Sequence, residues 1–204
     1  MTDPTATFAS AARSFAALVH DIPAGAWDGP GLGDWDLRSL VGHTSRSLIT
    51  VSTYLHTAAE REDVATPHGY YAMVNPSALG IDPAAVVERG RQAGVDLGDD
   101  PVTAVDELVQ RVLGDLVGID DRLIQVIGGR GIRLYTYLRT RTFELAVHGL
   151  DIAGAVGIPF TLPADVLDEA MVLASRIAAA TGQGEAVLMS LTGRRALPPS
   201  FSVV

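Results

Sequence analysis

The stretch Tyr137-Leu-Arg-Thr-Arg-Thr-Phe-Glu144-Leu-Ala-Val-His148-Gly-Leu-Asp151 decides how this chain folds. Wound at about 100° per residue, it places Leu134, Leu138, Leu145, Ile152 and Val156 on one apolar stripe. Phe143, Ala146, Val147 and Leu150 make a second apolar face roughly opposite. A helix that is greasy on two sides is packed on both. Between the two faces, Tyr137, Arg141, Glu144, His148 and Asp151 share one polar arc. Ionisable groups held there must be paired, hydrogen-bonded or bound to a metal. Glu144 and His148 stand one helical turn apart, so their side chains can converge on a single ion.

Outward from this helix, apolar positions repeat at helical spacing in most of the chain. Residues 5–20 form an amphipathic helix with Phe8, Ala12, Phe15 and Val19 on one face. After a Pro/Gly-rich loop from Ile22 to Trp35, Asp36 is an N-cap for a long helix reaching about residue 60. Residues 61–81 are expected to be loop. Asp82-Pro83 has the pattern of an N-cap followed by proline at the first helical position, opening a short helix to about residue 93. Val105, Val109, Val112, Leu116, Ile119 and Leu123 extend a helix from 102 to about 127, stopped by Gly128-Gly129. The polar-arc helix then runs from about 133 to 156, and a last helix spans roughly 163–180 before a tail. Strand-like alternation is almost absent. The expected fold is all-α, a four-helix bundle with an extra C-terminal helix and short tail. Residues 1–160 form the bundle, and 161–204 pack on it without making a second domain.

The composition narrows the function. The chain has 204 residues, a formal net charge of −9 and no cysteine. All of its basic residues are arginine. An acidic chain with no basic tract is a poor partner for nucleic acid or for anionic membranes. Charged residues interrupt every apolar run well short of a membrane span. The amino-terminal residues lack the basic start and apolar run of a signal peptide, so the expected location is the cytoplasm. Without cysteine, disulfides, thiolate ligands and cysteine nucleophiles are excluded. Any metal must bind through His, Asp or Glu, and any thiol chemistry must borrow its thiol.

Two ligands make a weak metal site, and the chain offers His20, His43, His56 and His68 as a third. His43 is preferred, because it lies about 120° from the centre of its helix's apolar stripe, a rim position that can line a cleft; a solvent-exposed flanking histidine is the alternative that periodicity alone leaves open. Two histidines and a carboxylate suit Zn²⁺ with an open position, and also accept Ni²⁺ or Fe²⁺. The competing reading makes Glu144 a buried partner of Arg141 or Arg139, and His148 a satisfied core histidine. Asp151 is either an acceptor orienting His148 or a solvated helix residue. Arg141 either neutralises an anionic cofactor or substrate, or forms a salt bridge to Glu144 or Asp151. Trp27 and Trp35 are read as core or loop anchors, and Tyr54, on the flank of His43, either lines the cleft or, the preferred reading, packs.

Three segments together carry a family resemblance. Trp35-Asp-Leu-Arg-Ser-Leu-Val-Gly-His43 resembles the early signature of the mycothiol-dependent maleylpyruvate isomerase family. Gly128-Gly129 through Leu134-x-x-Tyr137-Leu-x-Thr-Arg141-x-x-Glu144-x-x-Val147-His148-Gly-x-Asp151 looks like its second signature, and Leu191-Thr-Gly-Arg194 is similar to its tail. The resemblance implies a DinB-like four-helix bundle in which His43, Glu144 and His148 are metal ligands. It also implies a divalent metal, Zn²⁺ first and Ni²⁺ or Fe²⁺ as alternatives, with mycothiol as thiol cosubstrate and Arg141 as a cofactor-binding residue. The isomerase proper carries a further C-terminal domain, and no counterpart is expected in these 204 residues. The expected activity is therefore a metal-dependent enzyme using a low-molecular-weight thiol for transfer to, or isomerisation of, a small anionic or electrophilic substrate. A metal-activated hydrolase and a non-catalytic metal or ligand-binding bundle are the rival readings. A homodimer is left open.

Overall fold

The computed structural model describes residues 3–73 and 82–204. Four helices form the bundle: α1 (Pro4–His20), α2 (Leu37–Tyr54), α5 (Pro101–Asp115) and α6 (Leu134–Val156). α6 packs on α1 and α2, and α5 closes the ring by packing on the same two helices. Their shared core holds Phe8, Phe15, Leu40, Leu48, Val105, Val112, Leu138 and Leu145, none more than 2% exposed. The all-α bundle expected from the apolar periodicity is the fold. Side-chain capping fixes three of the four starts. Asp3, Asp36 and Asp100 accept from the amides of Thr5, Ser39 and Thr103, satisfying donors the first turn leaves unpaired. Gly157, in the left-handed conformation, ends α6.

The remaining helices pack on this frame. α4 (Pro83–Asp96) lies against α2, with Asp82 as its N-cap. The two backbones approach so closely that a Cβ on Gly42 would collide with the Gly94 amide and the Ala93 carbonyl. α3 (Pro67–Met73) sits on α6 and α7, and α7 (Ala164–Ala180) packs on α6 and α1. Val166, Ala170, Leu173 and Ile177 of α7 belong to the same hydrophobic core as the bundle. Arg139 of α6 pairs with the buried Glu169 of α7 at 2.6 Å. α8 (Gly184–Leu191) rests on α7.

Several boundaries differ from the sequence reading. The helix expected over 102–127 ends at Asp115, and 123–133 is an antiparallel hairpin of β1 (Leu123–Val126) and β2 (Arg130–Arg133). Ile124 pairs with Ile132 and both are fully buried. The β-branched residues of this stretch satisfy a two-residue period as well as a helical one. Gly128 and Gly129 both take φ of +72°, so they turn a hairpin rather than stop a helix. α2 ends at Tyr54 rather than near residue 60, because the chain turns to dock on β1, where the Thr57 hydroxyl accepts from the Gln125 amide at 3.0 Å. Within the span read as loop, 61–81, residues 67–73 are the helix α3; 74–81 lie outside the described residues. The C-terminal region contains two helices, α7 and α8, where one helix and a tail were expected. On α6 the first apolar stripe is buried from Leu134 to Ile152 and half-buried at Val156, but the second is not continuous, since Leu150 is 48% exposed.

Candidate metal centre

His43 comes from α2, and Glu144 and His148 come from successive turns of α6, the helix packed directly against it. Each offers one donor atom, and these three atoms lie within 4.8 Å of one another. All three side chains are partly buried at the edge of the bundle. The His43 and His148 rings meet edge to face, with centroids 5.1 Å apart. His148 Nε2 and Glu144 Oε2 are 3.4 Å apart. Two donors binding one tetrahedral ion at about 2.0–2.1 Å stand roughly 3.3–3.4 Å from each other. The donor set is thus of the kind that a divalent ion takes, and its Glu144–His148 pair already stands at the spacing such an ion needs.

Surrounding residues hold each donor in place. Asp151 Oδ2 lies 3.0 Å from His148 Nδ1. It therefore accepts a hydrogen bond from Nδ1–H and leaves Nε2 directed at Glu144, the arrangement that orients a ligating histidine. Tyr71 of α3 donates its hydroxyl to Glu144 Oε1 at 2.8 Å, leaving Oε2 toward His148. Trp35 anchors on α4 by donating its indole N–H to the Val87 carbonyl at 2.9 Å. Its ring stacks at a tilt on His43, 4.5 Å between centroids. The position of the His43 backbone is set by its neighbour Gly42, through the close crossing of α2 and α4.

The electrostatics follow from this packing. Burial, reinforced by the neighbouring His148 charge, pushes His43 down to about 4, so its lone pair is free at neutral pH. Burial alone would lower His148 as well, but its hydrogen bonds to Asp151 and Glu144 outweigh that and raise it to about 9. Burial would raise Glu144; the His148 hydrogen bond and the Arg141 charge overcome it and hold the carboxyl at about 2. Metal-free, the site therefore carries a proton on His148 between two carboxylates, where a cation is already favoured.

A cavity of about 200 Å³ opens beside His43 and Glu144, lined also by Arg46, Tyr54, Tyr137 and Arg141 among others. The Arg141 guanidinium lies over the rings of Tyr137 and Tyr70, 4.9 and 5.3 Å from their centroids. The salt bridge to Glu144 or Asp151 considered from sequence is not formed. Among the described residues no carboxylate pairs with Arg141, and Asp151 is engaged by His148. Nor is Glu144 the partner of Arg139, which binds Glu169 instead. Of the other histidines, His20 contacts Asp106 at 2.8 Å and His68 lies 3.2 Å from the Thr66 hydroxyl; neither joins the cluster. Tyr54 packs edge to face on Tyr137 and also lines the cavity.

The family model for the mycothiol maleylpyruvate isomerase N-terminal domain matches residues 8–153. The chain belongs to that family. The match runs from within α1 to near the end of α6, and so takes in all three donors; α7 and α8 follow it. No curated protein and no solved structure matches the chain. No helix among the described residues is long and apolar enough to cross a membrane. Sequence reasoning reached His43, Glu144, His148, Asp151 and Arg141 but passed over Tyr71, Tyr70 and Arg46. Tyr70 and Tyr71 sit on a helix of seven residues, too short for a periodic signal. Arg46, one turn beyond His43 on the same flank, was accessible from the helical spacing.

Proposed function

We propose that this chain is a cytoplasmic divalent-metal enzyme that uses a low-molecular-weight thiol, mycothiol by family, to attack a small electrophile. His43, Glu144 and His148 would hold the ion, Zn²⁺ first, and residues 161–204 act as an appendage of the bundle rather than a second domain. The observation that carries the reading is the convergence of three donors from two helices, each already oriented by a neighbour: Trp35, Tyr71 and Asp151. Bound there, a divalent ion with an open position supplies Lewis acidity that lowers the pKa of an incoming thiol.

The chain's own residues supply the rest. His43 offers an unprotonated nitrogen at neutral pH, and Glu144 contributes the negative charge that retains a cation. Asp151 keeps the His148 ring in the orientation that presents Nε2. Arg141, fixed on its two tyrosines, faces the cavity in which an anionic reactant would sit. The thiol loses its proton to solvent, and its sulfur adds to one carbon of an activated carbon–carbon double bond, whose π pair moves onto the conjugated carbonyl as an enolate. Protonation of that enolate by solvent leaves a thioether conjugate, which is transfer. Rotation about the former double bond and return of the pair with expulsion of the thiolate instead re-forms the double bond as the geometric isomer.

A water-activating hydrolase is less well supported, because it needs a free general base. Among the described residues Glu144 is the only carboxylate lining the cavity, and this reading already uses it as a ligand. The test is metal analysis of untagged protein, followed by thiol titration with an electrophile panel. The expected result is about one divalent ion per chain and turnover strictly dependent on added thiol, both lost in Glu144→Ala. Metal-dependent turnover without thiol would favour the hydrolase, and stoichiometric metal without thiol affinity a binding bundle.

A further inference from the structure

The C-terminal region carries most of the apolar surface that the fold leaves open. Of the thirteen large hydrophobic side chains exposed among the described residues, seven lie between Leu167 and Val204, beyond the stretch that the family model matches. Apolar residues scattered singly over a surface need no explanation, whereas an aligned set marks a contact. On α7 they are aligned.

One side of α7 is already occupied, since Val166, Ala170, Leu173 and Ile177 are buried in the core. The opposite side presents two neighbouring rows at i, i+4, i+8 spacing, every member exposed: Leu167, Met171 and Ser175, then Asp168, Val172 and Arg176. Leu167, Met171 and Val172 are 42–47% exposed. The second row is a palindrome in charge, with an acid and a base standing symmetrically about Val172. At 1.5 Å per residue Asp168 and Arg176 are about 12 Å apart along the axis, beyond each other's reach. Among the described residues neither forms an ion pair. Such a row is complementary to itself. Laid antiparallel on a second copy about Val172, it sets Asp168 of each chain against Arg176 of the other, twice, with Met171 and Val172 of both copies in the middle. That is the self-matching contact a twofold axis generates. A uniformly apolar partner would instead desolvate both charges without pairing them.

We propose that the outward face of α7 is a homodimer interface, in which two copies of the chain pack α7 on α7 antiparallel about a twofold axis at Val172, with Asp168 of each against Arg176 of the other. Ridges at i, i+4 spacing on two helices interdigitate in the commonest mode of helix packing. The face of one 17-residue helix is small beside the roughly 800 Å² per partner of a standard interface, so this dimer separates on dilution.

The test is sedimentation velocity of the whole chain over about 1–200 μM, where a monomer–dimer equilibrium should shift toward dimer as concentration rises. Met171→Glu changes an exposed side chain, leaves the core untouched and should abolish the dimer across that range. Asp168→Arg and Arg176→Asp should each weaken association about tenfold or more, because each sets like charges opposite one another twice. The double exchange of Asp168→Arg with Arg176→Asp restores both pairs in the reversed sense and should recover the dimer. Circular dichroism checks that each variant is folded. A monomer at every concentration overturns the proposal and leaves the face to a different partner. A dimer that Met171→Glu does not weaken lies elsewhere on the molecule and overturns it as well. Failure of the double exchange to recover what the single ones lose refutes the antiparallel register. None of these residues lines the donor cavity, so the outcome is independent of the metal and thiol reading.

Discussion

Loading the site with metal should expel about one proton at neutral pH, and that proton comes from His148. In the metal-free protein His148 is raised to about 9 by its two carboxylate neighbours, whereas His43 is lowered to about 4 and Glu144 to about 2. At pH 7 His43 and Glu144 are therefore already deprotonated, and only His148 must lose a proton before Nε2 can donate a lone pair. The apparent affinity at pH 7 is then about 100-fold below its high-pH limit, about 2.7 kcal/mol at 1.36 kcal/mol per pH unit. Its sign is fixed: affinity climbs about tenfold per unit from pH 6 to 8 and levels off above about 9. The assay is calorimetric titration of Zn²⁺, buffered by a competing chelator, in buffers of different ionisation enthalpy. The dependence of the observed heat on buffer enthalpy gives the number of protons released. A release near zero at pH 7, with flat affinity from pH 6 to 8, would refute both the protonated His148 and its role as ligand.

Asp151→Asn removes the charged acceptor behind His148 and should weaken metal binding about 10–100-fold while leaving the helical spectrum unchanged; unaltered affinity in a competition assay would make Asp151 a solvated bystander. A neutral chelator should lower the melting temperature of the parent protein but not of His148→Ala, since an ion bound only to the folded state stabilises it by mass action. Identical shifts in the two proteins would place the ion elsewhere. Gly42→Ala inserts a Cβ into the Gly94 and Ala93 backbone and should cost about 1–3 kcal/mol in urea unfolding. An unchanged midpoint would mean that α2 and α4 part freely.

The bundle was legible because each of its helices buries an apolar stripe, and a stripe of Phe8, Ala12, Phe15 and Val19 or of Leu134, Leu138 and Leu145 repeats often enough to be read. The hairpin at 123–133 was not, because its strands are only four residues long and Leu123 continues the helical repeat of Leu116 and Ile119. α8 escaped for a different reason: Leu188 and Leu191 are more than 60% exposed, so burial imposes no pattern on it. Within the site, Glu144, His148 and Asp151 lie on one helix, where spacing alone predicts which side chains meet. The contacts from Tyr71 and Trp35 arrive from α3 and from the turn before α2, and no local rule relates those positions to α6. Helical angle narrowed the choice to His43 but did not carry the pairing of α2 with α6, which the family signatures supplied.

The chain contains two tryptophans, and one of them, Trp35, stacks on His43. The protein thus carries its own optical reporter at the point where α2 and α6 meet. A quenching ion such as Ni²⁺ held by His43 would dim the Trp35 indole, and drawing the His43 ring toward Glu144 would shift its emission. Trp27 stands beneath the Arg38 guanidinium and serves as the internal reference. Occupancy can therefore be followed by fluorescence in dilute solution with no added label, and Trp35→Phe marks which part of the signal comes from the centre.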